Sequence, residues 1–105
     1  MKLPLPIEYA RGARRDLAEL WLDYASISED LSRKILTRLE LKIQELARHP
    51  QLGRLRPEFR IAGLRSIAVN PHVIFYTLSA RPSVWIYRVV DGRRNLAALF
   101  GHEQS

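Results

Sequence analysis

The sequence predicts an α+β fold in which an antiparallel two-helix hairpin packs on an antiparallel three- to four-stranded sheet, with an N-terminal edge strand and a short C-terminal helical segment. Residues 63–95 hold three β-rich runs, 64–69, 72–79 and 83–90. Asn70-Pro71 and Ala80-Arg81-Pro82 separate them, the punctuation of consecutive antiparallel strands. Ahead of this meander lie two stretches with helical hydrophobic spacing, joined by a short polar break. The 105 residues make one domain, 1–105, large enough to bury a core without disulfides or metal.

Prolines at positions 4 and 6 confine the first segment to a sheet edge, and residues 6–9 are read as a short edge strand. From 11 to 25, Ala13, Leu17, Leu20, Trp21 and Tyr24 recur at helical spacing, with Arg14, Arg15, Asp16, Glu19 and Asp23 mostly on the other side. A second apolar line, Ala18, Leu22 and Ala25, widens this face; it fits either packing against the next helix or a groove for a partner. The pattern breaks at Ser26-Ile27-Ser28-Glu29-Asp30 and restarts. Ser26 with Glu29 has the form of a capping box, and Ser28 followed by two acids is an alternative cap.

The second helix runs to about His49, with Ile35, Leu36, Leu39, Ile43, Leu46 and Ala47 inward and Pro50 and Gly53 stopping it. So short a link folds the two helices back on each other. Lys34, Arg38 and Lys42 stack into a like-charge ridge that suits a solvated face or an acidic partner. Residues 51–62 form a connector in which Leu55, Phe59 and Ile61 anchor the chain while Arg54, Arg56 and Arg60 point outward.

The strands carry an anomaly. Val73 to Tyr76 and Val84 to Tyr87 are apolar without alternation, whereas an antiparallel sheet with one wet face alternates. Two helices cover only one face. The other is expected to be covered in part by residues 96–100 and for the rest by a partner protein or a second copy. Arg88, inside so apolar a strand, requires a carboxylate, for which Asp16, Glu19 and Asp23 are the candidates, and is read as a structural ion pair. Arg65, near the start of its strand, is either a surface charge or a functional cation. His72 opens a strand after a turn, but the sequence supplies neither an orienting carboxylate nor a reactive partner for it.

A net charge of +6 and a pI near 10.3 favour negative partners, nucleic acid or an acidic protein segment. The absence of cysteine excludes thiol chemistry and disulfides and suits a reducing cytosol. No apolar run is long enough to cross a bilayer, and the two early prolines do not suit a signal peptide, so a cytoplasmic protein without membrane contact is expected. No phosphate-cradling loop or metal-ligand spacing occurs, and the three histidines, His49, His72 and His102, are scattered. No cofactor and no metal are expected.

The order of edge strand, helix hairpin, meander and basic turn carries the segments ARRDLAELW, LARHPQLGR, GLRSIAV, HVIFY and IYRVVDGRRNL. In this combination the chain resembles the ParE/RelE superfamily of type II toxins, and the ParE branch most closely, over about residues 9–99. The resemblance implies a toxin that inhibits growth by binding and poisoning DNA gyrase and is neutralised by a small, acidic, ParD-like antitoxin in a hetero-oligomer. It places target binding at Arg65, Arg93, Arg94 and Asn95, and antitoxin binding at Ala18, Leu22, Ala25, Tyr76 and Trp85. Relatives of the RelE type cut mRNA on the ribosome, and a divergent nuclease of that kind, or an inactive toxin-like binding domain, is the alternative. Against a nuclease, Ile67 and Val73 stand where basic residues are expected, Phe100 stands where a tyrosine would act, and Asp91 replaces a common histidine.

Overall fold

The computed structural model describes residues 3–101; the remaining ends of the expected 1–105 domain, His102 included, lie outside the described residues. Along the chain run β1 (Ile7–Tyr9), α1 (Arg11–Ala25), α2 (Glu29–Arg48), β2 (Arg54–Leu55), a 3-10 turn (Pro57–Phe59), β3 (Arg65–Val69), β4 (His72–Leu78), β5 (Val84–Asp91) and α3 (Leu96–Gly101). The α+β class and the helix hairpin packed on a sheet are as the sequence predicts. Of the two candidate caps, Ser28 is the one that starts α2, its hydroxyl accepting from Leu31 N at 3.2 Å.

The sheet differs from expectation in extent and direction. Among the described residues it has five strands in the order β1-β5-β4-β3-β2 and is mixed, because β1 runs parallel to β5 with Ile7 opposite Val84 and Tyr9 opposite Ile86. Pro6 has no N–H to give a ladder, yet its carbonyl accepts from Val84 N at 2.8 Å, so the proline-marked segment still serves as an edge. The fifth strand, β2, pairs antiparallel with β3 and has only two residues, too few to show any period in the sequence.

The helices bury Ala13, Leu39, Ile43, Leu46 and Ala47 against Ile74, Tyr76, Val84, Ile86 and Val89. Tyr76 lies in this core with its hydroxyl donating to Pro50 O at 2.8 Å and accepting from Gly53 N at 2.8 Å. It thereby ties the end of α2 to the sheet. A Cβ on Gly53 would stand 2.7 Å from the Tyr76 ring, so only glycine admits this approach.

On the opposite face residues 96–100 give part of the cover, as expected, and the connector adds to it, so less of this face is left to a partner than the sequence suggests. Phe59, Leu64, Phe75, Val90 and Phe100 form a second buried cluster, flanked by Val73, Tyr87, Leu96 and Leu99. Ring centroids lie 4.8 Å apart for Phe59 and Phe100 and 4.9 Å for Phe75 and Phe100, the latter edge-to-face. The 3-10 turn throws Phe59 inward and α3 lays Phe100 beside it. Both faces of β4 and β5 are therefore largely covered, which accounts for their unbroken apolar runs. A bulge helps: Phe75 faces Arg88 and Tyr76 faces Ile86, leaving Tyr87 as the extra residue.

Candidate functional site

Helix α1 lies across β5, and the contact is built on Asp16. Arg88 donates to it twice, Nε to Oδ2 at 2.7 Å and Nη2 to Oδ1 at 3.0 Å, while Val89 N donates to Oδ2 at 2.9 Å. Among the acids considered for Arg88, Asp16 is the one it meets. Glu19 and Asp23 follow on the same side of α1, one turn and two turns on. They overhang the place where β5 ends and β4 begins, with His72 paired to Asp91.

The result is an open cleft of about 310 Å³ between α1 and the strand ends. Glu19, Asp23 and Tyr24 line one wall, His72 and Asp91 the other, and Arg94 the rim. In the turn after β5, Arg93 is occupied: its backbone N and Nε each donate to Asp91 Oδ1 at 2.9 Å, and Nη2 donates to Oδ2 at 2.6 Å. These hydrogen bonds hold the Asp91 carboxyl far below the usual carboxylate range. Asn95 is occupied too, its Oδ1 accepting from Ala98 N at 3.2 Å at the start of α3. Arg94 is exposed, and no hydrogen bond or ion pair holds its side chain among the described residues.

His72 is buried under Tyr24, ring to ring at 6.0 Å edge-on. Burial pushes its imidazole below the ordinary value, against the upward pull of Asp91 and with Arg93 and Arg38 adding to the fall. The folded value thus lies below the unfolded one of about 6.5. Its contribution to stability is complete above that pH and is lost as pH falls through the lower folded value. Urea denaturation between pH 7.5 and 5 should show stability falling with acid, and His72→Gln should flatten the fall by at most about 1.4 kcal/mol per pH unit.

The other residues singled out from the sequence are not brought to this place. Arg65 starts β3 opposite Tyr76 and donates to Gly53 O at 2.7 Å, so it braces the link after α2. It stands about 13 Å along the sheet from the turn holding Arg93 and Arg94. Ala18 and Leu22 are exposed on α1 and Ala25 is half-buried. Trp85, between the inward Val84 and Ile86, points to the opposite face. Tyr76, expected on a partner-binding surface, has no exposed surface to offer. The five expected antitoxin contacts therefore do not form one patch.

Ile67 packs on the helix side, Val73 on the other, and Phe100 is buried among aromatic rings, so none of these positions carries a group that titrates. Among the described residues no group of three His, Asp or Glu is placed to hold a metal ion. The grouping of Glu19, Asp23, Tyr24, His72 and Arg94 was not read from the sequence. The acidic line along α1 was visible there; the register that sets His72 against Asp91 was not.

A family model described as ParE toxin of type II toxin-antitoxin system, parDE, matches residues 7–96. Toxin ParE3 of Caulobacter vibrioides is 42% identical over 66 residues, 63% of this chain and 64% of that protein, so the match spans just under two thirds of that relative. Toxin ParE1 of the same organism is 31% identical over 101 residues, 91% of this chain and 98% of that protein. Among solved structures, a chain of the chromosomal ParDE TA system from P. aeruginosa superposes with a TM-score of 0.69 at 18% identity, covering 83% of this chain and 95% of that one, a likeness of fold.

Proposed function

The chain belongs to the ParE toxin family of type II toxin–antitoxin systems, and on that footing we propose that it arrests growth in the cytoplasm by binding DNA gyrase and is held in check by a cognate antitoxin. The observation that carries this reading is the extent of the family match, which runs from β1 to the start of α3. The side chains support binding over cleavage. RNA cleavage needs one group to activate a 2′-hydroxyl and another to protonate the leaving oxygen. The positions where cutting relatives carry such groups hold Ile67, Val73 and the buried Phe100.

The gyrase-facing surface is assigned to the turn after β5, where Arg94 is the cation without a side-chain partner among the described residues once Arg93 has joined Asp91 and Asn95 has capped α3. Arg65, engaged in the link after α2, is the weaker part of that assignment. The antitoxin is assigned the exposed apolar side of α1, Ala18 and Leu22, with an acidic character that matches a chain of net charge +6.

Expressed alone, the chain should stop growth, and co-expression of a small acidic protein from the adjoining reading frame should restore it. Primer extension on translated mRNA should show no codon-positioned cuts during arrest. Cuts that disappear in Arg65→Ala or Arg94→Ala would replace this reading with a ribosome-dependent nuclease.

A further inference from the structure

The cleft between α1 and the strand ends is acidic on a chain with 17 basic and 11 acidic residues. Its acids divide into two classes. Asp16 is satisfied by Arg88 and Val89, and Asp91 by Arg93. Glu19 and Asp23 have no cationic partner among the described residues, although the chain has a surplus of basic side chains. Both face the cleft from one side of α1.

An independent feature opens on the same space. His72 is only 3% exposed, and its ring makes no hydrogen bond among the described residues. Yet no fully buried side-chain nitrogen or oxygen there lacks a hydrogen-bond partner. The ring nitrogens of His72 are therefore not fully closed off, and the residue lines the cleft. A neutral imidazole offers one acceptor there. Tyr24, which crosses the His72 ring edge-on, adds an aromatic wall.

We infer that this cleft receives an arginine side chain presented by a protein partner. A guanidinium has five donors in one plane, and Glu19, Asp23 and His72 supply acceptors around the cleft while Tyr24 supplies a ring. A bare metal ion is a poor fit, since no ligand cluster of suitable geometry exists among the described residues. Glu19 and Asp23 are themselves exposed, so a small free cation is held only weakly, in the millimolar range. A side chain already positioned by a larger interface does not face that loss. Arg94 at the rim opposes the cation and offers a place for an acid beside the incoming arginine. The cleft lies apart from the apolar side of α1 and shares Arg94 with the turn assigned to gyrase, but its acceptors, Glu19, Asp23 and His72, have no part in the gyrase reading, so the inference does not depend on it.

The test is a titration of the full chain with N-acetyl-arginine amide, followed by NMR of backbone amides and the His72 ring. Shifts should concentrate at Tyr24, His72 and Asp91 in the millimolar range, and N-acetyl-glutamine amide should produce none. The double variant Glu19→Gln, Asp23→Asn should weaken the response at least tenfold with its far-ultraviolet dichroism unchanged, since both side chains are exposed. Scattered or absent shifts at tens of millimolar would overturn the inference. So would a response reproduced by Mg²⁺ alone, which would make this a metal site. Much tighter binding of free arginine than of the blocked form would overturn the assignment to a protein partner.

Discussion

Replacing Asp16 by alanine should lower the unfolding free energy by about 3 kcal/mol, the lower end of the range for breaking a buried ion pair. The carboxylate is 9% exposed and accepts two hydrogen bonds from Arg88 and one from Val89 N, joining α1 to β5 by side chain and backbone together. Removing it strands a buried N–H and takes the bidentate acceptor from a guanidinium in an apolar strand. Arg88 keeps a quarter of its surface in water, which holds the loss near that lower end. Gly12 belongs to the same arrangement: a Cβ there would lie 3.0 Å from Arg88 Cδ, so the bare helix surface gives the arginine stem its path. Asp16→Asn, which retains an oxygen, should lose less. Urea denaturation measures both, and a loss under about 1 kcal/mol for Asp16→Ala would reduce the contact to an ordinary surface pair.

Replacing Phe100 by alanine should cost about 3–5 kcal/mol. The ring is 1% exposed and touches the rings of Phe59, Phe75 and Tyr87, the last stacked at 5.9 Å. Its removal leaves a cavity and releases α3, uncovering the outer face of β4 and β5. The variant should therefore also bind a hydrophobic dye that the parent chain leaves in solution. Unchanged stability with no dye binding would mean that α3 does not protect this face.

Phe59, packed beside Phe100, marks the limit of what the sequence conveys. The helix pair was legible because Leu39, Ile43 and Leu46 repeat at helical spacing over the 20 residues of α2, and the meander because turn residues interrupt apolar runs. The unalternating strands correctly announced two covered faces. Residues 96–100 were expected to supply part of the cover and do; what the strands could not convey was that the connector, through Phe59 and Leu64, joins them on the same face. Residues 56–64 have no period, and the inward aim of Phe59 depends on a single 3-10 turn whose last link, Arg60, sits at φ 58°. Likewise the need of Arg88 for an acid followed from desolvation alone, whereas the choice of Asp16 over Glu19 depended on how α1 lies on β5. Tyr76 shows the opposite error: an aromatic in an apolar strand read as a partner contact is instead a core residue with a satisfied hydroxyl. The cleft at His72 was illegible because it is assembled from α1, β4 and the turn after β5, which only tertiary packing brings together.

The most direct measurement of the proposed action is gyrase supercoiling of relaxed plasmid with the purified chain in molar excess. Supercoiling should fall as cleaved complexes accumulate, Arg94→Ala should weaken the effect, and added antitoxin should restore the activity. Undiminished supercoiling at excess chain, with no cleaved complex, would contradict the assignment of gyrase as its target.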